Sequence, residues 1–279
     1  MIGLSTSTYY YRPKESRLKR AQFEADVVGA IGKIRADLGP NTGYRTLQSY
    51  LLREHGITIG ERRLRRIIRE NGLQAKATRR FVCTTNSKHD ELVHPNLLPE
   101  MQVSDVNQVW VADLTYIRVT AGFVYLAAIL DVYSRKVIGW SIGLGLDRTL
   151  TLAALKMAIE KRRPPKGAIH HSDRGVQYLC QDYVDMLKKN GFHVSCSRKG
   201  NPYDNAFAET FFKTLKVNAV DLQKYENIWD VLEHVPEFID DVYNERRVHS
   251  ALDYISPNEF EERNKELKRT GAPRPKLKL

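Results

Sequence analysis

From Gln108 onward the chain changes character, and the change limits the folds open to it. Gln108–Val119, Phe123–Tyr133 and Lys136–Ile142 are rich in Val, Ile, Tyr and Trp, and only Thr120-Ala-Gly122 and Ser134-Arg135 part them. β-branched and aromatic runs joined by links this short form neighbouring antiparallel strands. Helical spacing takes over at about Arg148–Lys161, Pro164-Pro165 ends it, and Ala168–Ser172 is again short and strand-like. A helix at about Gln181–Asn190, a strand at His193–Ser197 and a helix from about Tyr203 to beyond Lys216 complete the order β-β-β-α-β-α-β-α. The expected fold class is α/β, a mixed sheet with helices packed on it.

Three carboxylates stand in unusual places within that order. Asp113 falls mid-strand in Trp-Val-Ala-Asp-Leu-Thr-Tyr-Ile, Asp173 ends the short strand of His-His-Ser-Asp-Arg-Gly, and Glu209 lies on the last helix. An ionised carboxylate in an apolar strand is costly unless something neutralises it, and a divalent cation does so. The topology lets the first strand, the end of the fourth strand and the last helix meet at one edge of the sheet. A cluster of that kind suits phosphoryl transfer, in which two cations about 3.5–4 Å apart serve the attacking and leaving oxygens. Taken singly, each carboxylate is better read as a cap or half of an ion pair; the functional reading rests on the three together. Lys216, seven residues after Glu209, and Asn205, four before it, share its helical face and are candidates for contact with substrate. Phe207, Phe211 and Leu215 on the same helix read as its core stripe. Arg198 and Lys199, on the loop before Gly200-Asn201, are candidates for phosphate contact.

The first 80 residues hold 17 basic and 7 acidic side chains, nearly all of the chain's net +11. Residues 81–220 carry a net +4 and residues 221–279 a net −3. Charge concentrated in this way marks an attached nucleic-acid-binding module. Residues 27–38, 44–54 and 59–70 show apolar residues at helical spacing, and Thr58-Ile-Gly-Glu61 fits a capping box at the start of the third helix. That helix carries Arg62, Arg63, Arg65, Arg66 and Arg69. A short trihelical unit with an Arg-rich last helix reads as a helix-turn-helix offered to DNA, with the solvated face of an ordinary helix as the alternative. Residues 1–76 form this domain, 77–107 a linker and 108–220 the α/β core. Residues 221–265 are expected to be helical, and 266–279 to be a disordered basic tail.

Other classes are set aside. No apolar run approaches the ~18 residues of a membrane span and the N-terminus has no apolar secretion segment, which points to a cytoplasmic protein. Three scattered cysteines without a CxxC pair argue against a disulfide framework. His89 and His94 lack the CxxC partner of a zinc domain. His170 and His171 stand beside Asp173. Strand alternation would let His171 line the site while His170 packs away. His249, near Arg246 and Arg247, is open to either a DNA-contacting or a helix-stabilising role.

Further strings accompany the carboxylates: Trp110-Val-Ala-Asp-Leu-Thr115, His171-Ser-Asp-Arg-Gly175 with Gln177-Tyr178, and Ser197-Arg-Lys-Gly-Asn201 with Tyr203-Asp-Asn205. Tyr243-Asn244, Arg247, His249-Ser-Ala-Leu252 and Ser256-Pro257 follow, and 35 residues separate Asp173 from Glu209. With these strings the chain resembles the DDE transposases of bacterial insertion sequences, relatives of retroviral integrases. In particular it resembles the second-reading-frame protein of the copy-out, paste-in group, over nearly its whole length. The resemblance implies a ribonuclease-H-like core in which Asp113, Asp173 and Glu209 hold two Mg²⁺ ions, with Mn²⁺ as substitute. It implies that Lys216 contacts transposon-end DNA and that the reaction is cleavage and strand transfer of insertion-sequence ends. It also implies a homo-oligomer on DNA and a partner, or frameshift fusion, from an upstream reading frame. A structure-selective nuclease of the same fold and a non-catalytic DNA-binding regulator are the competing readings.

Overall fold

The computed structural model describes residues 15–75, 93–99, 101–198 and 202–279. The chain divides into two compact units, Met1–Lys76 and Ala77–Leu279. Among the described residues the first holds three helices: α1 (Glu15–Leu38), α2 (Tyr44–His55) and α3 (Glu61–Glu70). α1 begins well before the apolar spacing that announces it. Val27, Ile31, Ile34 and Leu38 of α1 are buried, as are Leu47 and Leu51 of α2 and Leu64 and Ile67 of α3. Gly56 ends α2 in the left-handed conformation, at φ 64°, which a residue without Cβ takes at no steric cost.

The start of α3 differs from the expected capping box. Its N-cap is Gly60, and no side chain caps it. Thr58 falls two residues too early, and Glu61 pairs instead with Arg65 at 3.2 Å. The preceding stretch is fixed through its backbone: Gln48 Nε2 donates to the Ile59 carbonyl at 2.7 Å, and Ile59 is buried.

The second unit is built on a five-stranded sheet in the order β4-β3-β2-β5-β6, with β2 spanning Val109–Val119, β3 Gly122–Asp131, β4 Val137–Gly143, β5 Ile169–Ser172 and β6 His193–Cys196. β2, β3 and β4 run antiparallel, while β2, β5 and β6 run parallel. This is the mixed, ribonuclease-H-like sheet that the order of elements foretold. β2 lies at its centre, and its side chains alternate between two cores. Val109, Val111, Ile117 and Val119 pack with α7 (Ala206–Asn218) and α8 (Ile228–Glu237). Trp110, Ala112 and Leu114 pack with α4 (Arg148–Arg162) and α6 (Gln181–Lys189) on the opposite face. A one-turn helix missed by the periodicity, α5 (Val176–Leu179), follows β5.

The ends of this unit depart from expectation. The linker expected over 77–107 lies partly outside the described residues. The part nearest the core is a strap along the edge strand β6, where Leu97 N–H donates to Ser195 Oγ at 2.9 Å and Cys196 N–H to the Pro95 carbonyl. α8 passes through Pro236 into a wider turn over Phe238–Arg246. The helical region is then broken until α9 (Pro257–Thr270), which Ser256 and Glu259 open with a true capping box. Residues 266–279 are not a disordered tail. α9 runs to Thr270, and β7 (Leu277–Lys278) pairs with β1 (Gln102–Val103). Leu277 and Leu279 pack on the first core, and Arg274 pairs with Asp105 at 2.6 Å. Backbone pairing and two leucines hold a segment whose composition alone suggested disorder.

β4 meets α4 at Gly139, where a Cβ would lie 2.4 Å from the Ala154 carbonyl oxygen and 2.7 Å from Ala158 Cβ. Both neighbours belong to a packed helix and cannot swing away. Gly139→Ala is expected to cost about 1–3 kcal/mol by overpacking, measured as a drop in the denaturation midpoint of the full chain.

Candidate active site

Parallel pairing of β2 with β5 ends at Ala112 opposite Ser172. The next residue on each strand is an aspartate, so Asp113 and Asp173 stand side by side where β5 leaves the sheet. By strand alternation Asp113 follows Val111 onto the face covered by α7, the helix that carries Glu209 and Lys216. Asp113 is strongly perturbed. Burial pushes its carboxyl well above the usual range, the charge of Asp173 adds to the rise and Glu209 contributes less. The Leu114 N–H, which donates to it at 2.8 Å, and the charge of Lys216 act the other way. The expected residues therefore share one electrostatic neighbourhood.

Local structure explains each position. Asp173 Oδ1 accepts from Gly175 N–H at 2.9 Å, and a Cβ on Gly175 would lie 3.0 Å from that oxygen and 2.7 Å from Gln177 Nε2. Gly175 thus keeps the backbone close enough to hold the carboxylate. Glu209 is on the exposed side of α7, its carboxyl raised by partial burial. Burial lowers the Lys216 ammonium, which lies 4.4 Å from the Tyr116 ring centre while Asp221 and Asp113 favour its charge.

Two of the expected contact residues, Asn205 and Arg198, make bonds within the protein. Residues 202–205 form a 3₁₀ turn before α7, and it buries Asn205, whose Nδ2 reaches towards the Ala112 carbonyl at 3.5 Å. Asn205 thus braces α7 on β2 from a buried position, and its Oδ1 has no hydrogen-bond partner among the described residues. Arg198 is exposed but forked onto Asp204 at 2.9 and 3.1 Å, and Lys199 lies outside the described residues. His171 is buried with both ring nitrogens engaged, by Ser195 Oγ at 2.8 Å and Ser197 Oγ at 3.0 Å. Burial holds it at about 4, so at neutral pH it is an uncharged tie between β5 and β6. His170 packs on the other face against Tyr183, at about 3. Sequence reasoning missed Asn244, whose amide bonds both the N–H and the carbonyl of Val137 and so completes the outer edge of β4. Its only signal was the Tyr-Asn string.

The five arginines of α3 divide. Arg66 and Arg63 turn inward to Glu24 of α1, at 2.5 and 3.4 Å, and Arg63 also lies over Phe23. The hydrogen bond from Arg66 is the main cause that holds the Glu24 carboxyl below its usual range. Arg65 stacks over Tyr44 at 4.1 Å. Arg62 and Arg69, a helical repeat of seven apart, are exposed on α3.

The donor chemistry suits a hard divalent cation: desolvated carboxylates crowd together at adjacent strand ends, where a cation would relieve their repulsion. Among the described residues no three His, Cys, Asp or Glu side chains already converge as a closed ligand cage. No helix among the described residues is long and apolar enough to cross a membrane.

Comparison with known proteins agrees with this architecture. The integrase core domain family matches residues 104–202, a second integrase core domain family matches 190–257, and an HTH-like domain matches 23–81. The chain is 39% identical over 268 residues to the insertion element IS600 uncharacterized 31 kDa protein of Shigella sonnei, spanning 94% of this chain and 97% of that one. It is 37% identical over 215 residues to the transposase for insertion sequence element IS904 of Lactococcus lactis, spanning 77% and 85%. The solved catalytic core domain of BIV integrase aligns with 58% of this chain and 99% of its own at 15% identity, with a TM-score of 0.45. The family matches and the relatives define an integrase-core protein with a helix-turn-helix-like domain. Within that class, the chain belongs to the transposases of insertion sequences.

Because Asp113 binds its proton more tightly when folded than when unfolded, its ionisation opposes folding increasingly as pH rises above the ordinary aspartate range. In metal-free buffer Asp113→Asn is expected to stabilise the protein by about 0.5–2 kcal/mol at neutral pH. The gain should shrink towards zero as pH falls below ~4. Thermal melts across pH check both the sign and the window.

Proposed function

We propose that the chain cleaves and joins insertion-sequence DNA ends at the edge formed by Asp113, Asp173 and Glu209. The family is one of polynucleotidyl transferases, and the observation that carries the residue assignment is the adjacency of Asp113 and Asp173 at the paired ends of β2 and β5. The three carboxylates would hold Mg²⁺, or Mn²⁺ in its place, in the two-ion arrangement. When bound, the ions supply Lewis-acid activation of the attacking oxygen and charge compensation at the leaving one.

The chain's own residues provide the rest. Water or a DNA 3′-OH attacks phosphorus in line, a new P–O bond forms as the 3′ oxygen of the cut strand departs, and no covalent protein intermediate is needed. Lys216, on the Asp113 side of α7, offers a cation to the incoming phosphate backbone. Gly175 N–H fixes Asp173, Asn205 braces α7 on β2, and neutral His171 locks β5 to β6, so the carboxylates keep their spacing. The Arg62 and Arg69 face of α3 supplies DNA contact from the head. Assembly as a homo-oligomer on DNA, and action with an upstream-frame partner or fusion, complete the reading.

Glu209→Gln is expected to lower strand transfer of pre-cleaved end DNA in Mg²⁺ by about 10³-fold, the scale of losing one charge-stabilising group, while DNA binding persists. Cutting without joining in the wild type would instead favour a nuclease, and binding with neither activity a regulator. In the head, Arg62→Gln and Arg69→Gln should each flatten the salt dependence of DNA affinity by about 0.9 in log–log slope. Arg66→Gln should instead lower the melting temperature of the head, because its partner is Glu24. Anisotropy titrations over a salt series, paired with melts, separate the two groups.

A further inference from the structure

The Ser134-Arg135 turn between β3 and β4 carries a cation that the reaction above does not use. Arg135 has a left-handed backbone, at φ 63°, and its guanidinium lies 4.0 Å from the centre of the Phe207 ring, in the first turn of α7. It is half-buried, and its Nε has no hydrogen-bond partner. The same holds for His249 Nε2, on a ring 5.1 Å from Tyr243 in edge-on contact. The Asn244 amide on Val137 pins this turn to the Tyr243–His249 segment, so the two elements form one fixed wall. Arg247 belongs to the same cluster: it and Arg135 both disfavour protonation of His249, which burial holds at about 3. Among the described residues no carboxylate figures in the electrostatics of either Arg135 or His249, and burial lowers the guanidinium to about 10. A half-buried cation beside a second cation and a neutral donor, with no described acid paired to it, is costly in the free protein and complete when an anion arrives.

We propose that Arg135, walled by Phe207, Tyr243, Arg247 and His249, seats a backbone phosphodiester of the DNA substrate. This rests on the DNA-acting reading above and adds to it a second phosphate seat. The fork of Arg135 gives two parallel N–H donors to one phosphate, and a neutral His249 adds a third from Nε2 in the tautomer protonated there. The seat lies at the start of the helix that carries Glu209, so it would fix the strand relative to the carboxylates.

The test uses the full chain and a DNA duplex in the absence of divalent metal. Arg135→Gln should weaken binding severalfold and flatten the log–log salt slope by about 0.9, while Arg135→Lys keeps the slope. In the wild type, which removes any doubt over folding of the variants, bound duplex should protect Arg135 from arginine modification by phenylglyoxal, read by mass spectrometry. Unchanged labelling of Arg135 in a saturated complex overturns the proposal. Protection by inorganic phosphate at matched ionic strength, with none by duplex, also overturns it and assigns the seat to a free anion. A chain that forms no DNA complex at all sinks the DNA-acting reading as well, whereas a seat that fails alone leaves the Glu209→Gln result standing.

Discussion

Four paired residues of parallel strand, Val109–Ala112 against Ile169–Ser172, set the geometry on which the rest of the second unit depends. β5 is only four residues long and turns away at Asp173, while β2 continues to Val119 paired on its other side with β3. The divergence leaves two carboxylates at a free sheet edge and a gap that α7 crosses. Much of the surrounding structure keeps that short pairing in register. His171 fastens β5 to Ser195 and Ser197 at β6, the strap at residues 95–98 covers the far edge of β6, and Asn205 ties the start of α7 to Ala112. Shifting β5 by one residue would send Asp173 to the opposite face of the sheet.

The arrangement is unfavourable in isolation, and the fold carries that cost. Asp113 is desolvated beside a like charge, which neither a structural ion pair nor a cap requires. The stabilisation lies away from the edge. Trp110 is fully buried against Phe192, and Arg162 forks onto Glu261 at 2.7 and 2.8 Å with buried Asp131 nearby. These contacts tie down β2, α4 and α9 around the sheet. A locally unfavourable cluster supported by dense packing elsewhere is a common arrangement at functional sites.

Much of this was legible in the sequence because the elements announce themselves through periodicities of two and of three to four, and because a carboxylate in an apolar strand is conspicuous. The features that escaped depend on partners distant along the chain or on a local change of helix type. Arg63 and Arg66 look like Arg62 and Arg69 on a helical projection; only the fold reveals Glu24, some forty residues earlier, behind two of them. Asn205 was placed on the Glu209 face by α-helical spacing, yet residues 202–205 wind as a 3₁₀ turn with three residues per turn, which rotates Asn205 into the protein. The segment at 271–279 has the composition of a solvated tail. Its order comes from main-chain pairing, to which composition is blind.

That last pairing has a topological consequence. Leu279 N–H donates to the Met101 carbonyl, and Leu277–Lys278 lies antiparallel to Gln102–Val103, so the last residues return to the segment that links the strap on β6 to the central strand β2. Two stretches far apart in sequence thus depend on each other for order, and loosening either partner of the ribbon would release the other beside the entry to β2.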